Sequence, residues 1–379
     1  MTQQLDRQFD VECMLSAIEQ ASASRPSPNP PVGALVVSPA GEVIAAAHHE
    51  AAGKDHAERV ALAMAGEAAR GATLYVTLEP CNHEGQTPPC ADAILRAGVA
   101  RVVVGCLDPN PHVPGGGAKR LEQAGVGVEV GVAGAEARAL IAPWTKFITT
   151  GTPYVALKLA VSLDGRIASR SGASKWVTGP EARAKVQQLR SLRDAVAIGI
   201  GTAISDDPLL TVRDETLLAN RASPVRVVFD THLRLAATAR LAATAREVRT
   251  WLVAGMDAPQ QAEEALVKAG CAVLRVPNSA EGRVEVAAAL RSLGDRGVVS
   301  VLVEGGAELA GSLLAGRLAD ELHVFVAPLL LGPRGRPGAV DWAGPDTPED
   351  APRIVEPRWE VCGRDAYVSG VVAYPGRAG

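Results

Sequence analysis

The sequence predicts an α/β protein of two domains, and three observations carry that expectation. A chain of 379 residues exceeds what one hydrophobic core normally organises. Short runs rich in Val, Leu and Ile alternate with Ala-rich helical stretches along most of it, the pattern of layered α/β folds. Between two such series, Pro143–Pro153 (PWTKFITTGTP) reads as a turn-rich bridge. The expected domains are therefore residues 1–147 and 152–376. Hydrophobic residues make up 47% of the chain but aromatics only 3%, so both cores must be aliphatic.

In the first domain, Val11, Met14, Leu15, Ile18 and Ala21 recur at helical spacing over Asp10–Ala23. The prolines of Ser27–Pro31 end that helix. Gly33–Ser38 and Val43–Ala47, joined through Ala40-Gly41, read as a hairpin. An Ala-rich helix is expected over His56–Arg70, with His56 and Glu58 in its first turn. Strand Ala72–Thr77, helix Ala91–Gly98, strand Ala100–Gly105, helix Gly117–Gly125 and strand Val126–Val130 complete the series.

The chemistry of this domain centres on Thr77–Cys90 (TLEPCNHEGQTPPC) and His56-Ala57-Glu58. Cys81, Cys90 and His56 are soft and borderline donors that suit zinc. Three such ligands leave the fourth tetrahedral position to water, as in catalytic rather than structural sites. Glu58, two residues past the histidine, is the carboxylate to move that water's protons. H-x-E followed by P-C…C is the pattern of zinc-dependent base deaminases. Here eight residues separate the cysteines rather than two. A lone His-x-Glu carries little weight; the added prolines and cysteines make coincidence improbable.

The second domain begins with Tyr154–Ala160. Further strands are expected at Ala195–Ile200, Val225–Phe229, Thr250–Val253, Ala272–Val276, Val298–Val303, Glu321–Val326, Trp359–Cys362 and Tyr367–Ala373. Helices Pro180–Leu192, Gln260–Ala269, Val284–Leu293 and Ala307–Ala315 fall between most of them. Three constellations stand out. Lys158 through Arg166 ends a strand in a polar turn, and Ser174-x-Trp176-x-Thr178 precedes a helix entered through Gly179-Pro180. Val303-Glu304-Gly305-Gly306 joins a strand directly to a helix, where backbone N–H groups can meet a phosphate. No complete G-x-G-x-x-G follows a strand, so a Rossmann fingerprint is absent. The hexad LAATAR, repeated over Leu235–Arg246, reads as a low-complexity surface extension without a function.

Composition narrows the class further. A net charge of −4 with no basic run excludes a polyanion-binding surface, so neither nucleic acid nor membrane is an expected partner. No apolar stretch reaches the length of a membrane span, and no signal-peptide core is present. Six scattered cysteines fit a reducing cytoplasm better than a disulfide framework.

The runs PNPPVGALVV, HAE, TLEPCNHEGQTPPC and DPNP resemble the deaminase half of the bifunctional riboflavin-biosynthesis deaminase–reductases. LKLAVSLDGRIA, SKWVT, LRSLRDAVAIGIGTAISDDPLLTVR and VLVEGGAELAGSLL resemble the reductase half of the same family. The resemblance implies a cytidine-deaminase-like three-layer domain followed by a dihydrofolate-reductase-like domain. It implies zinc on His56, Cys81 and Cys90, with Glu58 as general acid and base. Asn29, His49, His83, Asp108 and Asn110 would contact the deaminase substrate.

In the second domain, NADPH would meet Ala160, Trp176, Thr178, Thr202, Asp206 and Gly306, Ala307, Glu308 and Leu309 within a segment ending at Ser312. Ser174, Arg190, Leu210, Arg213 and Glu304 would meet a pyrimidine ribosyl phosphate. Lys158 and Asp207 are candidates for proton handling. The activity implied is hydrolytic deamination of the diaminopyrimidinone, then reduction of its ribosyl group to ribityl, in a homo-oligomer with a dimer as first choice.

The sequence departs from the family at Ala51, Gln86 and Gly116, where basic residues are usual, and at Asp55, where proline is usual. Lys54 or Lys119 are candidates to replace the lost cations. Other readings stand beside this one: a deaminase of another base, a monofunctional reductase with a zinc-stabilised scaffold, or an RNA editor. The long cysteine loop counts against the first and the lack of basic patches against the last.

Overall fold

Two β-sheets organise the chain in the computed structural model, one of five strands and one of nine among the described residues. The structure describes residues 2–85, 87–113, 115–218, 222–332 and 338–376. It divides into two units, Met1–Gly151 and Thr152–Gly379.

The first unit runs α1 (Thr2–Ser22), β1 (Gly33–Val37), β2 (Val43–His48), α2 (Ala57–Ala65) and β3 (Thr73–Leu78). It continues α3 (Cys90–Ala97), β4 (Arg101–Cys106), α4 (Gly117–Gln123), β5 (Gly127–Val130) and α5 (Gly134–Thr150). The strands lie in the order β2-β1-β3-β4-β5, antiparallel on both sides of β1 and parallel from β3 to β5. Strand alternation sorts the side chains into two layers. Leu35, Val37, Tyr75 and Val103 pack with Cys13, Met14 and Ala17 of α1. The intervening Ala34, Val36, Leu74, Val76, Val102 and Val104 are fully buried on the other face. Gly33 lets α1 approach: a Cβ there would lie 1.9 Å from the Ala17 carbonyl oxygen.

The second unit contains β6 (Tyr154–Ser162), α6 (Pro180–Ser191), β7 (Ala195–Gly199), α7 (Ile200–Asp206) and β8 (Val225–Phe229). Next come α8 (Arg240–Ala243), β9 (Thr250–Gly255), α9 (Gln260–Ala269), β10 (Ala272–Val276) and α10 (Val286–Gly294). The last elements are β11 (Ser300–Val303), α11 (Ala307–Ala315), β12 (Glu321–Ala327), β13 (Arg353–Cys362) and β14 (Asp365–Ala373). Strand order is β10-β9-β8-β7-β11-β6-β12-β14-β13. All neighbours are parallel up to β12, and the β13–β14 hairpin closes the edge antiparallel. Ala195, Val227 and Val301 face α10 and α11 through Leu290, Leu293 and Leu313. Val196, Val228 and Leu252 face α8 and α9 through Leu241 and Leu266. The parallel strands therefore carry apolar residues on both faces, as burial between two helical layers requires.

Three local expectations are corrected. Pro143–Pro153 is not a bridge from its start, because α5 continues to Thr150 with Pro143 inside it. Ala137, Ile141 and Trp144 share its buried face, and their burial outweighs the hydrogen bond that proline removes. His56 stands at the N-cap of α2, in extended backbone, rather than within its first turn. The LAATAR repeat is no surface extension: Leu235, Leu241, Ala242 and Ala245 are at most 5% exposed and belong to the core.

One polar contact ties the first unit together. Asp10 of α1 accepts hydrogen bonds from the Tyr75 hydroxyl at 2.6 Å and from both Arg101 terminal nitrogens at 2.8 and 2.7 Å. Burial alone would push the Asp10 carboxyl up, but the partners outweigh it and hold it below the usual carboxylate range. A depressed folded-state pKa stabilises above the unfolded value of about 3.9 and is lost as pH falls below it. We expect Asp10→Asn to lower unfolding stability at pH 7, with the gap to wild type closing between about pH 4 and pH 2 in denaturant titrations. A gap that persists unchanged at acid pH contradicts the charged pair.

Candidate active sites

Strand β3 delivers the first site. It ends at Leu78, and Glu79-Pro80 carries the chain over the sheet's C-terminal edge, where open α/β sheets place ligands. Cys81 follows, and Cys90 opens α3. His56 comes from the N-cap of α2. Its Nδ1 lies 3.6 Å from Cys81 Sγ and 3.3 Å from Cys90 Sγ. The three donor atoms lie within 4.8 Å of one another. One nitrogen and two sulfurs converging on a point fit a zinc ion with an open fourth position.

Glu58 is 3% exposed and one of its carboxylate oxygens, Oε2, has no hydrogen-bond partner among the described residues. Burial pushes its carboxyl above the usual range. The Cys81 thiol is held well below its ordinary value by hydrogen bonds from Cys90 and His56. An acidic thiol beside a carboxyl raised by burial suits a site that binds a cation and passes protons.

The expected substrate residues frame this point. Asn29 Nδ2 lies 3.0 Å from His49 Nε2, and His49 Nδ1 lies 3.1 Å from the Asp55 carbonyl. The rings of His49 and His56 meet edge-on at 5.2 Å. Burial pushes the His49 imidazolium down, favouring its neutral form. His83 is half-buried, with Nδ1 buried and unpartnered among the described residues. The Asp108 carboxylate accepts the Asn110 N–H at 2.9 Å, a turn-shaping contact.

Sequence reasoning missed Glu79 here. Its two oxygens accept the N–H groups of Asp108 at 3.3 Å and Ala118 at 3.1 Å. It therefore anchors the loop with Asp108 and Asn110 to the zinc-ligand turn. A carboxylate between a strand end and a ligand cysteine was the available signal. Among the departures, Asp55 accepts from Arg59 Nε at 2.7 Å, Ala51 is half-buried, and Gly116 adopts φ +79°. Lys54 and Lys119 are exposed, and Gln86 lies outside the described residues.

The second site is a cleft of about 2130 Å³ within the second unit. A site for one small ligand is typically about 300–1,000 Å³, so this cleft has room for two. Every residue expected to meet NADPH or the reductase substrate, from Ala160 to Leu309, borders it. At its floor, Arg190 Nε donates to Glu304 Oε1 at 2.5 Å and Nη2 to Oε2 at 3.0 Å. Burial alone would push Glu304 up, but the guanidinium outweighs it and holds the carboxylate ionised. Lys158 stands beside this pair, its ammonium pushed down by burial. Ser174 Oγ donates to Asp206 Oδ1 at 2.9 Å, joining the expected substrate and cofactor residues.

The Gly305-Gly306 turn fits a dinucleotide diphosphate. Gly306 has φ +91° and starts α11 without a side-chain cap, so the first amides of that helix remain available to an anion. A Cβ on Gly305 would meet Thr202 Oγ1 at an ordinary contact distance of 3.4 Å. Asp207 is not a cleft residue; its carboxylate accepts the Arg240 N–H at 2.9 Å instead.

Comparison with known proteins follows these two sites. A family model described as the RibD C-terminal domain matches residues 153–368. Another, the cytidine and deoxycytidylate deaminase zinc-binding region, matches residues 7–106. The riboflavin biosynthesis protein RibD of Escherichia coli (strain K12) is 42% identical, over 91% of this chain and 94% of its own. The solved structure of Acinetobacter baumannii RibD, form 1, is similar with TM-score 0.82 and 37% identity, over 97% of this chain and 99% of that one. A Thermotoga maritima diaminohydroxyphosphoribosylaminopyrimidine deaminase/5-amino-6-(5-phosphoribosylamino)uracil reductase has TM-score 0.82 and 33% identity, over 97% and 100%. One family thus accounts for a cytidine-deaminase-like unit and a reductase unit together, and the chain belongs to the RibD family of riboflavin biosynthesis proteins.

Proposed function

We propose that the chain catalyses two consecutive steps of riboflavin synthesis. The first is hydrolytic deamination of 2,5-diamino-6-ribosylamino-4(3H)-pyrimidinone 5′-phosphate. The second is NADPH reduction of the resulting uracil's ribosyl group to ribityl. The observation that carries the first step is the convergence of His56, Cys81 and Cys90 beside buried Glu58.

His56, Cys81 and Cys90 would hold a zinc ion, which would lower the pKa of a bound water toward neutrality. Glu58 takes a proton from the attacking water and returns one to the departing ammonia. Asn29 and His49, held to each other, present an amide and an imidazole to the pyrimidine edge. Asp108, Asn110 and His83 complete the substrate contacts in this reading.

In the second unit, bound NADPH would supply a hydride to the ribosyl C1′. Gly306, Ala307, Glu308 and Leu309 would hold the cofactor, together with Ala160, Trp176, Thr178, Thr202 and Asp206, all of which border the cleft. Arg190 and Glu304 fix each other at the cleft floor, and Ser174, Leu210 and Arg213 complete the substrate site. Lys158, its ammonium pushed down by burial, is the candidate to deliver the proton that accompanies the hydride.

A homodimer in the cytoplasm belongs to the same proposal. Exposed Trp359 (70%) and Val361 (86%) on edge strand β13 support association. The six cysteines, all free, fit a reducing compartment. Among the described residues, no helix is long and apolar enough to cross a membrane.

Glu58→Gln should keep its zinc and lose ammonia release by about 10²–10⁴-fold, measured with metal content beside the assay. A variant that retains full turnover removes Glu58 from the proton path. Zinc removal by a chelator should abolish ammonia release yet leave NADPH oxidation with the deaminated substrate, since each site is built within its own unit. Equal loss of both activities contradicts that separation. Arg190→Lys keeps the charge but not the fork; we expect the reductase KM for the ribosyl phosphate to rise about tenfold or more, about 1.4 kcal/mol, with ammonia release intact. An unchanged KM removes Arg190 from the substrate site.

A further inference from the structure

Arg226 is the largest fully buried side chain among the described residues, at 0% exposure. It sits in β8 among Val225, Val227, Val228 and Phe229, where a hydrophobic residue would be expected. Among the described residues no carboxylate hydrogen-bonds to it, and its Nε has no partner. Its Nη1 donates to the Leu209 carbonyl at 3.2 Å and to Thr244 Oγ1 at 2.8 Å. Its Nη2 donates to the carbonyls of Leu241, Thr244 and Val248 at 3.1, 3.1 and 2.7 Å. A buried cation is costly unless fully engaged, and here its engagement joins two segments far apart in sequence. One is the second LAATAR copy with the turn that follows it. The other is the loop Asp207–Arg213 at the cleft.

That loop is gripped from both sides. Arg190 Nη1 donates to the Thr211 carbonyl at 2.9 Å, so two buried guanidiniums hold the carbonyls of Leu209 and Thr211. Between them Leu210 is 4% exposed and held at φ +52°, a conformation that costs a leucine energy and persists only where neighbours impose it. The repeat adds a third hold, since Arg240 donates its backbone N–H to Asp207 Oδ1 at 2.9 Å and its Nη1 to the Asp207 carbonyl at 3.4 Å. Leu210 and Arg213 border the cleft, whereas Arg226 does not.

We propose that Arg226 is a positioning residue for the reductase substrate, and that the LAATAR repeat is the brace through which it holds Leu209–Arg213 against the cleft. This rests on the assignment of Leu210 and Arg213 to the substrate. Arg226 acts through backbone carbonyls, so the forked guanidinium is required. A lysine supplies the charge but cannot reach both segments.

The test uses the full zinc-loaded chain, with hydrogen exchange of the Leu209–Arg213 amides measured beside reductase kinetics. In Arg226→Lys and Thr244→Val we expect exchange there to quicken about tenfold or more, about 1.4 kcal/mol of local opening. Exchange in the first unit should stay unchanged. The KM for the deaminated ribosyl phosphate should rise about tenfold in Arg226→Lys, while the Kd for NADPH moves less than about threefold. Should Arg226→Lys fail to fold, Thr244→Val, which removes the hydroxyl that accepts from Arg226 Nη1 and lies off the cleft, carries the test. Unaltered loop exchange in both variants overturns the brace. Substrate KM and NADPH Kd rising together overturn the positioning role, because general loosening moves both. Arg213→Ala separates the two failures. A KM it leaves unmoved overturns the substrate assignment and the proposal with it. A KM raised by Arg213→Ala, but by neither brace variant, overturns the proposal alone.

Discussion

The first unit depends on three donors from separate segments meeting at one point. His56 arrives at the head of α2, Cys81 after β3 and Cys90 at the start of α3. That meeting is possible because β3 lies inside the sheet, with α2 and α3 packed against each other over the same face. The Ala-rich helix α2 brings Ala57 and Ala61, both fully buried, close to the sheet. Glu58 is buried by the same packing, and burial is the first cause of its raised carboxyl pKa, with the nearby Cys81 thiolate adding to it. The site's proton chemistry is therefore a consequence of its packing.

In the second unit the corresponding constraint is the engagement of buried cations. Arg190 is neutralised by Glu304, an arrangement that spans α6 and the end of β11 and fixes the cleft floor. Arg226 has carbonyls instead of an acid, so its charge is dispersed over backbone dipoles. Both arginines reach the same short loop, Leu209–Thr211. A hydrophobic core positions helices within a few tenths of an ångström, but it cannot set the direction of a loop carbonyl. Forked hydrogen bonds can.

Much of this was legible from residue types at short spacing. His56-x-Glu58 and Pro-Cys81…Pro-Cys90 carry their chemistry locally, and Glu304-Gly305-Gly306 announces a strand-to-helix turn that an anion can approach. The strands of both sheets were legible because each is a short aliphatic run with turn residues at its ends. Less was legible where long-range packing decides. Pro143 and the threonines after it suggest a bridge, yet Ala137, Ile141 and Trp144 find the sheet and the helix continues. The LAATAR hexads look like filler because Ala and Leu carry no chemistry of their own; only beside β8 do Leu241 and Ala242 become core. Asp207, a plausible acid by sequence, is claimed by Arg240. Glu79 went unassigned because its partners, Asp108 and Ala118, lie far along the chain.

The central claim is that one chain performs both reactions in order. The most direct measurement is simultaneous recording of ammonia release and NADPH oxidation by the zinc-loaded chain, given only the diaminopyrimidinone ribosylamine phosphate. Ammonia should appear first, NADPH oxidation should follow after a lag, and the two totals should become equal. NADPH oxidised ahead of ammonia, or ammonia released with no oxidation following, would contradict it.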